Sequence, residues 1–100
     1  MNIYDLPMLP LSEESTAILA ENETLRIERI VSAGQTSDWY DQEETEFVVL
    51  IEGNAEIEYD NGKCVALVKG DMLLIAPHER HRVSYTSSTP PCIWLCVFYR

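Results

Sequence analysis

Along most of the chain, apolar residues come in short blocks of alternating or solid character, each closed by a turn. Leu25 and Ile27 alternate with Arg26 and Glu28 within 24–33, a stretch rich in Ile and Val. Phe47-Val48-Val49-Leu50-Ile51 is solidly apolar and ends at Gly53, and Ala55, Ile57 and Tyr59 then alternate with Asn54, Glu56 and Glu58. Period-two alternation marks half-buried strands, and a short solid run marks a strand covered on both faces. The same reading predicts strands at 64–68, 72–76 (broken by Pro77), 81–86 and 93–99. About seven short strands with no helix between them imply an antiparallel sandwich or barrel rather than a parallel α/β sheet.

Turns punctuate these blocks. Asp60-Asn61-Gly62-Lys63 separates two alternating runs. Asn-Gly at that place predicts a type I′ hairpin, in which both central residues take positive φ. The start of the chain is different. Residues 1–11 contain Pro7 and Pro10 and read as an irregular arm. Ser12 then precedes Glu13 and Glu14, with Ala17-Ile18-Leu19-Ala20 beyond. An N-cap with acids in the first turn predicts a short helix over 13–20. The expected organisation is thus an arm and short helix over 1–23, followed by one β domain over 24–100.

Composition narrows the function classes. One hundred residues make one domain, and 46% hydrophobic content is normal for a globular chain. Seventeen acids against seven bases give a net charge of −10. Nine acids and no base lie between Asp38 and Asp60. Nucleic-acid binding needs a basic footprint, so a nucleic-acid partner is not expected. The longest apolar run, Cys92–Tyr99, has eight residues, far fewer than the roughly 20 of a spanning helix. The first residues carry no positive n-region, so neither a secretory signal nor a membrane role is expected. Cys92 and Cys96 lie four apart in an expected strand, with Cα atoms about 13 Å apart, too far for a disulfide. With Cys64 they read as free thiols in a reducing cytoplasm.

Two spacings carry the candidate chemistry. The first runs Gly34, five residues, Tyr40-x-Gln42, three residues, Glu46, six residues, Gly53. The second runs Gly70, five residues, Ala76-x-His78, two residues, His81, three residues, Tyr85. These resemble the two motifs of the cupin family, G-x5-H-x-H-x3,4-E-x6-G and G-x5-P-x-G-x2-H-x3-N. The resemblance covers about residues 24–99. It implies an antiparallel jelly-roll, or double-stranded β-helix, barrel. In the family the two His and the Glu of the first motif and the His of the second hold a metal. The matching positions here are Tyr40, Gln42, Glu46 and His81, and only the last two keep the family residue. Tyr40 is a phenol that stays protonated near neutral pH, and Gln42 offers a neutral amide oxygen. The motif-two proline is displaced to Pro77, with His78 and Tyr85 in place of Gly and Asn.

Two readings follow from that departure. One is a barrel that binds a small polar molecule, with Tyr40, Gln42, Glu46 and His81 converging inside it. The other is a metal-dependent cupin enzyme of the oxygenase, isomerase or lyase type. Its Zn, Fe, Ni or Mn ion would rest on Glu46 and His81, with Gln42 as third ligand. His78, at the turn beside Pro77, is the other candidate ligand but reads rather as a surface residue, and Arg80 and Arg82 should point away from His81. Trp39 either gates the barrel mouth or packs on the surface. Trp94, Cys96 and Phe98 share one face of the last strand, and Ile93, Leu95, Val97 and Tyr99 the other. Both faces are apolar, so the one outside the barrel must be covered, by the N-terminal helix or by a partner subunit, and the helix is short. A homodimer is expected, as the resemblance also implies.

Overall fold

The computed structural model describes residues 1–9 and 11–100, so Pro10, in the expected arm, lies outside the described residues. Eight strands follow in order: β1 (Ser15–Glu21), β2 (Leu25–Ser32), β3 (Thr45–Glu52), β4 (Asn54–Tyr59), β5 (Cys64–Val68), β6 (Met72–Ile75), β7 (His81–Thr86) and β8 (Cys92–Tyr99). They form a five-stranded sheet, β1-β2-β8-β3-β6, facing a three-stranded sheet, β5-β4-β7. Every strand pairing is antiparallel. This is the antiparallel all-β architecture expected from the strand and turn pattern, in the jelly-roll form that the resemblance implies. No helix among the described residues is long and apolar enough to cross a membrane.

The expected helix over 13–20 is absent. Residues 15–21 are instead the edge strand β1, with Ser15 opposite Val31 and Thr16 opposite Ile30. An isolated single helix of eight residues is marginal, and β-branched Thr16 and Ile18 favour an extended chain. Pairing with β2 satisfies a row of backbone groups that a helix would leave open. A register shift between Ile18 and Ala20 then breaks up the new edge.

The hairpin between β4 and β5 is at the expected place but of a different type. Gly62 N–H donates to the Tyr59 carbonyl at 3.0 Å, and Tyr59 N–H to the Lys63 carbonyl at 2.8 Å. Gly62 has φ +90°, whereas Asn61 is not among the residues with positive φ. The loop is therefore a type I turn closed by a glycine bulge, not type I′. Three loop residues, Asp60 to Gly62, suit that geometry, and Asn61 Oδ1 caps it by accepting from Lys63 N–H at 2.9 Å.

Cross-strand register decides the faces of β8. Phe98 lies opposite both Arg26 and Glu46, and Trp94 opposite Ile30 and Leu50. Trp94, Cys96 and Phe98 therefore point inward, where they join Val48, Leu50, Ile57, Leu67 and Ile75 in the core. Leu95, Val97 and Tyr99 point outward. At one end the N-terminal arm crosses that outer face, held where Arg29 Nη1 donates to the Asp5 carbonyl at 2.6 Å. The three cysteines are free, with Cys64 exposed and Cys92 and Cys96 buried.

Candidate functional site

Between the two sheets lies a cavity of about 350 Å³ that is open to solvent on one side. Tyr40, Gln42, Glu46 and His81 all line it, so the four sequence-derived positions come together at one end. They arrive by three routes. Glu46 belongs to the inward row of β3, with Val48 and Leu50 further along. His81 opens β7. Tyr40 and Gln42 lie on the irregular segment before β3, which is laid along β7. Tyr40 N–H donates to the His81 carbonyl at 2.7 Å, and His81 N–H returns the bond at 3.1 Å.

Glu46 and His81 are both buried, at 8% and 3% exposure. The Gln42 amide donates to Glu46 Oε1 at 3.1 Å. His81 Nδ1 bonds the Glu79 carbonyl at 2.8 Å, which leaves Nε2 facing Glu46 Oε1 at 3.8 Å. The rings of Tyr40 and Tyr59 flank the imidazole, with centroids at 5.5 and 6.3 Å. Burial raises the Glu46 carboxyl above the usual carboxylate range, against the opposing pull of Gln42, His81 and the Cys96 thiol. Burial also raises the Tyr40 phenol, as do the nearby Glu14 and Glu46 charges, so it stays protonated.

The Glu46 shift has a consequence for stability. The folded state holds this proton more tightly than the unfolded chain. The folded state therefore loses stability as pH rises from the unfolded carboxylate range through the raised folded value. Glu46→Gln removes that loss. Its stability should match wild type near pH 4 and exceed it at pH 7.5, by a margin on the order of 1 kcal/mol. Thermal melts across that range check this, and a pH-independent difference would contradict it.

Other residues behave as outer-surface groups. His78, at φ +60°, sits in the turn before β7, and its Nδ1 pairs with Asp41 Oδ1 at 2.7 Å. The His78 N–H holds the Gln42 carbonyl at 2.7 Å, so the turn fixes the backbone of a pocket residue without entering the pocket. Trp39 lies beside the guanidinium groups of Arg80 and Arg82, at 5.4 and 4.8 Å, and does not line the cavity. Arg82 also bonds Glu58 at 2.6 Å.

Sequence reasoning missed a second polar group in the cavity. Arg26, Glu28 and Glu44 line it, as does Glu14. Arg26 is bonded to Glu28 at 2.6 Å and to Glu44 at 3.1 Å, and lies over the Phe98 ring at 4.3 Å. The only local signal was alternation in β2, and it pointed the wrong way, since the apolar Leu25 and Ile27 face out.

The expected metal set is less complete than its positions imply. Glu46 and His81 are good donors for a first-row ion, and such an ion takes about three protein ligands. The third, Gln42, is a neutral amide whose nitrogen is turned to Glu46. Among the described residues no group of three His, Cys, Asp or Glu side chains could hold an ion. The residues present do not fit a tightly held metal.

The chain has clear relatives. The family model described as "Cupin domain" matches residues 27–98. L-ectoine synthase of Rhodococcus erythropolis is 36% identical over 72 residues, which are 71% of this chain and 52% of that protein. L-ectoine synthase of Rhodococcus opacus matches equally well. The chain thus spans about half the length of these curated relatives. A crystal structure from Ralstonia eutropha JMP134, of a protein proposed to be a mannose-6-phosphate isomerase, superposes with a TM-score of 0.93 at 34% identity. That match covers 99% of this chain and 95% of the other. A cupin superfamily protein from Desulfitobacterium hafniense DCB-2 superposes at 0.81 and 16% identity, over 93% of this chain and 83% of that one. The motif spacing, the barrel and the family match agree: the chain belongs to the cupin family.

Proposed function

We propose that this cupin binds a small polar organic molecule inside the barrel. The observation that carries the reading is Glu46. A carboxylate costs stability when buried, yet this one faces a 350 Å³ cavity beside the unengaged Nε2 of His81. The cavity lining combines polar side chains, Glu46, Gln42 and His81 among them, with apolar walls that include Ile57, Ile75, Trp94 and Phe98. That combination suits a guest held by its head group and packed by its body. Cyclohexanol, a ring with one hydroxyl, is a suitable probe. In a titration followed by NMR, the Trp94 indole and Gln42 side-chain amide signals should shift together, and less so in His81→Ala. Shifts at the outer sheet face only, or none at tens of millimolar, would reject the reading.

A metal-dependent enzyme is the other reading the motifs left open. Its ligands would be Glu46, His81 and Gln42, and that donor set does not fit a tightly held ion, so no chemical step is assigned to one. The ectoine synthases and the proposed isomerase support catalysis as a family capability. They do not identify a substrate for this chain.

The proposal extends to a homodimer formed through the outer face of the five-stranded sheet. Register aligns Ile27, Val97, Phe47 and Leu74 in one row, and Leu95, Val49 and Met72 in the next. Met72 and Leu74 remain 65% and 58% exposed. These two runs contain no acid, so two copies can meet there without pressing their net charges of −10 together. Light scattering should give a particle of about twice the 11.4 kDa chain mass, reduced to one chain mass by Leu74→Glu. A wild-type particle of 11.4 kDa at micromolar concentration would reject the dimer.

A further inference from the structure

Between Glu46 and His81 the cavity offers two lone-pair acceptors, with the Tyr40 hydroxyl and the second Gln42 amide hydrogen as the neighbouring donors. The bond from His81 Nδ1 to the Glu79 carbonyl, 2.8 Å long, assigns the proton of the neutral ring to Nδ1. Nε2 is then an acceptor. It has no hydrogen-bond partner among the described residues, and Glu46 Oε1 at 3.8 Å is too far to be one. The imidazole itself is only 4% exposed and lines the cavity. Glu46 is also an acceptor, with lone pairs beyond the one that takes the Gln42 hydrogen.

Two acceptors this close are matched by a guest atom that brings at least two hydrogens. A hydroxyl brings one, an ammonium brings three, and a carboxylate or dianionic phosphate brings none. The surrounding field favours the same choice. Glu14, Glu28, Glu44 and Glu46 all line the cavity. The one guanidinium among the lining residues, Arg26, is already held by Glu28 and Glu44 and is not free to receive an anion. Tyr40 and Trp94 add aromatic faces, which attract cations.

We propose that the guest of this barrel is a protonated primary amine, its ammonium group bridging Glu46 and His81 Nε2 and its hydrocarbon body lying against Ile75 and Trp94. This inference rests on the pocket reading above and adds the chemical class of the guest. An anionic sugar phosphate does not suit the same end of the cavity.

Three probes of nearly equal shape test it: cyclohexylamine, cyclohexanol and cyclohexanecarboxylate, each titrated at neutral pH and 0.15 M salt. The amine should bind about tenfold more tightly than the alcohol, because a charge-assisted bond replaces a neutral one, and the carboxylate most weakly. Glu46→Gln, which keeps size and hydrogen bonding, should reduce the amine's advantage to about threefold or less. If the carboxylate matches or exceeds the amine, the guest class is wrong while the pocket stands. If the amine shifts only surface acids and leaves Trp94 and Gln42 unmoved, its binding is nonspecific and the inference fails. If none of the three probes moves the Trp94 and Gln42 signals, the pocket reading fails and takes this inference with it.

Discussion

Gly53→Ala should be among the most damaging single substitutions in this chain, costing about 2–5 kcal/mol. Gly53 joins β3 of the larger sheet to β4 of the smaller one, at φ +94°. Two penalties combine there. A side chain at positive φ costs about 1–2 kcal/mol. The added methyl would also stand 2.8 Å from Cys92 Cα and Sγ and 3.0 Å from the Pro91 carbonyl, contacts that force the backbone apart. Overpacking of that kind costs about 1–3 kcal/mol more. A domain of this size has only about 5–15 kcal/mol in total. Gly62→Ala is the control, because Gly62 has φ +90° and nothing within 4 Å of its virtual methyl. It carries the conformational penalty alone. Urea denaturation of the two variants checks this, and equal losses would show that the close approach to Cys92 contributes nothing. The crossing at Gly53 also matters for the site. It carries the chain from the sheet that bears Glu46 to the sheet that bears His81.

Trp94→Ala should cost a similar amount, about 3–5 kcal/mol, and enlarge the cavity at the same time. Trp94 is 4% exposed and packs in the core cluster, where its ring forms part of the cavity wall. Its Nε1 donates to Ser32 Oγ at 3.2 Å, and Ser32 is itself 2% exposed. Truncation therefore removes a large apolar surface and strips a buried hydroxyl of a partner. Trp94→Phe separates the two effects. It keeps most of the ring and should lose about 1–2 kcal/mol, mainly through Ser32. Calorimetric melts of both variants give the comparison. A loss under about 1 kcal/mol for the alanine variant would mean that the wall relaxes to fill the space, and that the cavity is not held open by this side chain.

Much of the barrel could be read from local pattern. Strands β3 and β5 announce themselves as short apolar runs and β4 by alternation, and the turns at Gly53, Gly62 and Gly70 by residues that tolerate positive φ. These are properties of a few neighbouring residues, which is why they survive the lack of any tertiary knowledge. Glu46 and His81 were legible for another reason. Motif spacing measured from glycines fixes their place along the strands, and the resemblance supplied their partners across the barrel. The hairpin type was harder to read. Asn61-Gly62 allows type I′, but the length of the loop as paired in the sheet selects a type I turn with a bulge.

The first strand shows where local pattern fails. Ser12 with Glu13 and Glu14 is a sound helix start in isolation, opposed locally only by the weak β preference of Thr16 and Ile18. The open edge of β2 opposes it too, by offering paired hydrogen bonds to residues 15–21 across the sheet. Arg26 and Glu28 fail for a related reason. Alternation places Leu25 and Ile27 on one face and the charged pair on the other, and the usual inference puts the apolar face inside. Here the outer sheet face is the more continuously apolar one, while the end of the interior near β2 holds a polar cavity.

Local pattern located strands β2 to β8, most turn positions and the excess of acid, and motif spacing located Glu46 and His81 of the candidate site. Long-range contacts, by contrast, bring residues 15–21 into the sheet, turn Trp94, Cys96 and Phe98 inward and lock Arg26 between Glu28 and Glu44. The physical reason is the period of two. Alternation along a strand defines two faces but does not name them, and a shift of one residue exchanges them. The choice is made by cross-strand register and by which face finds cover, and both depend on segments distant in sequence, as β2 and β8 do here.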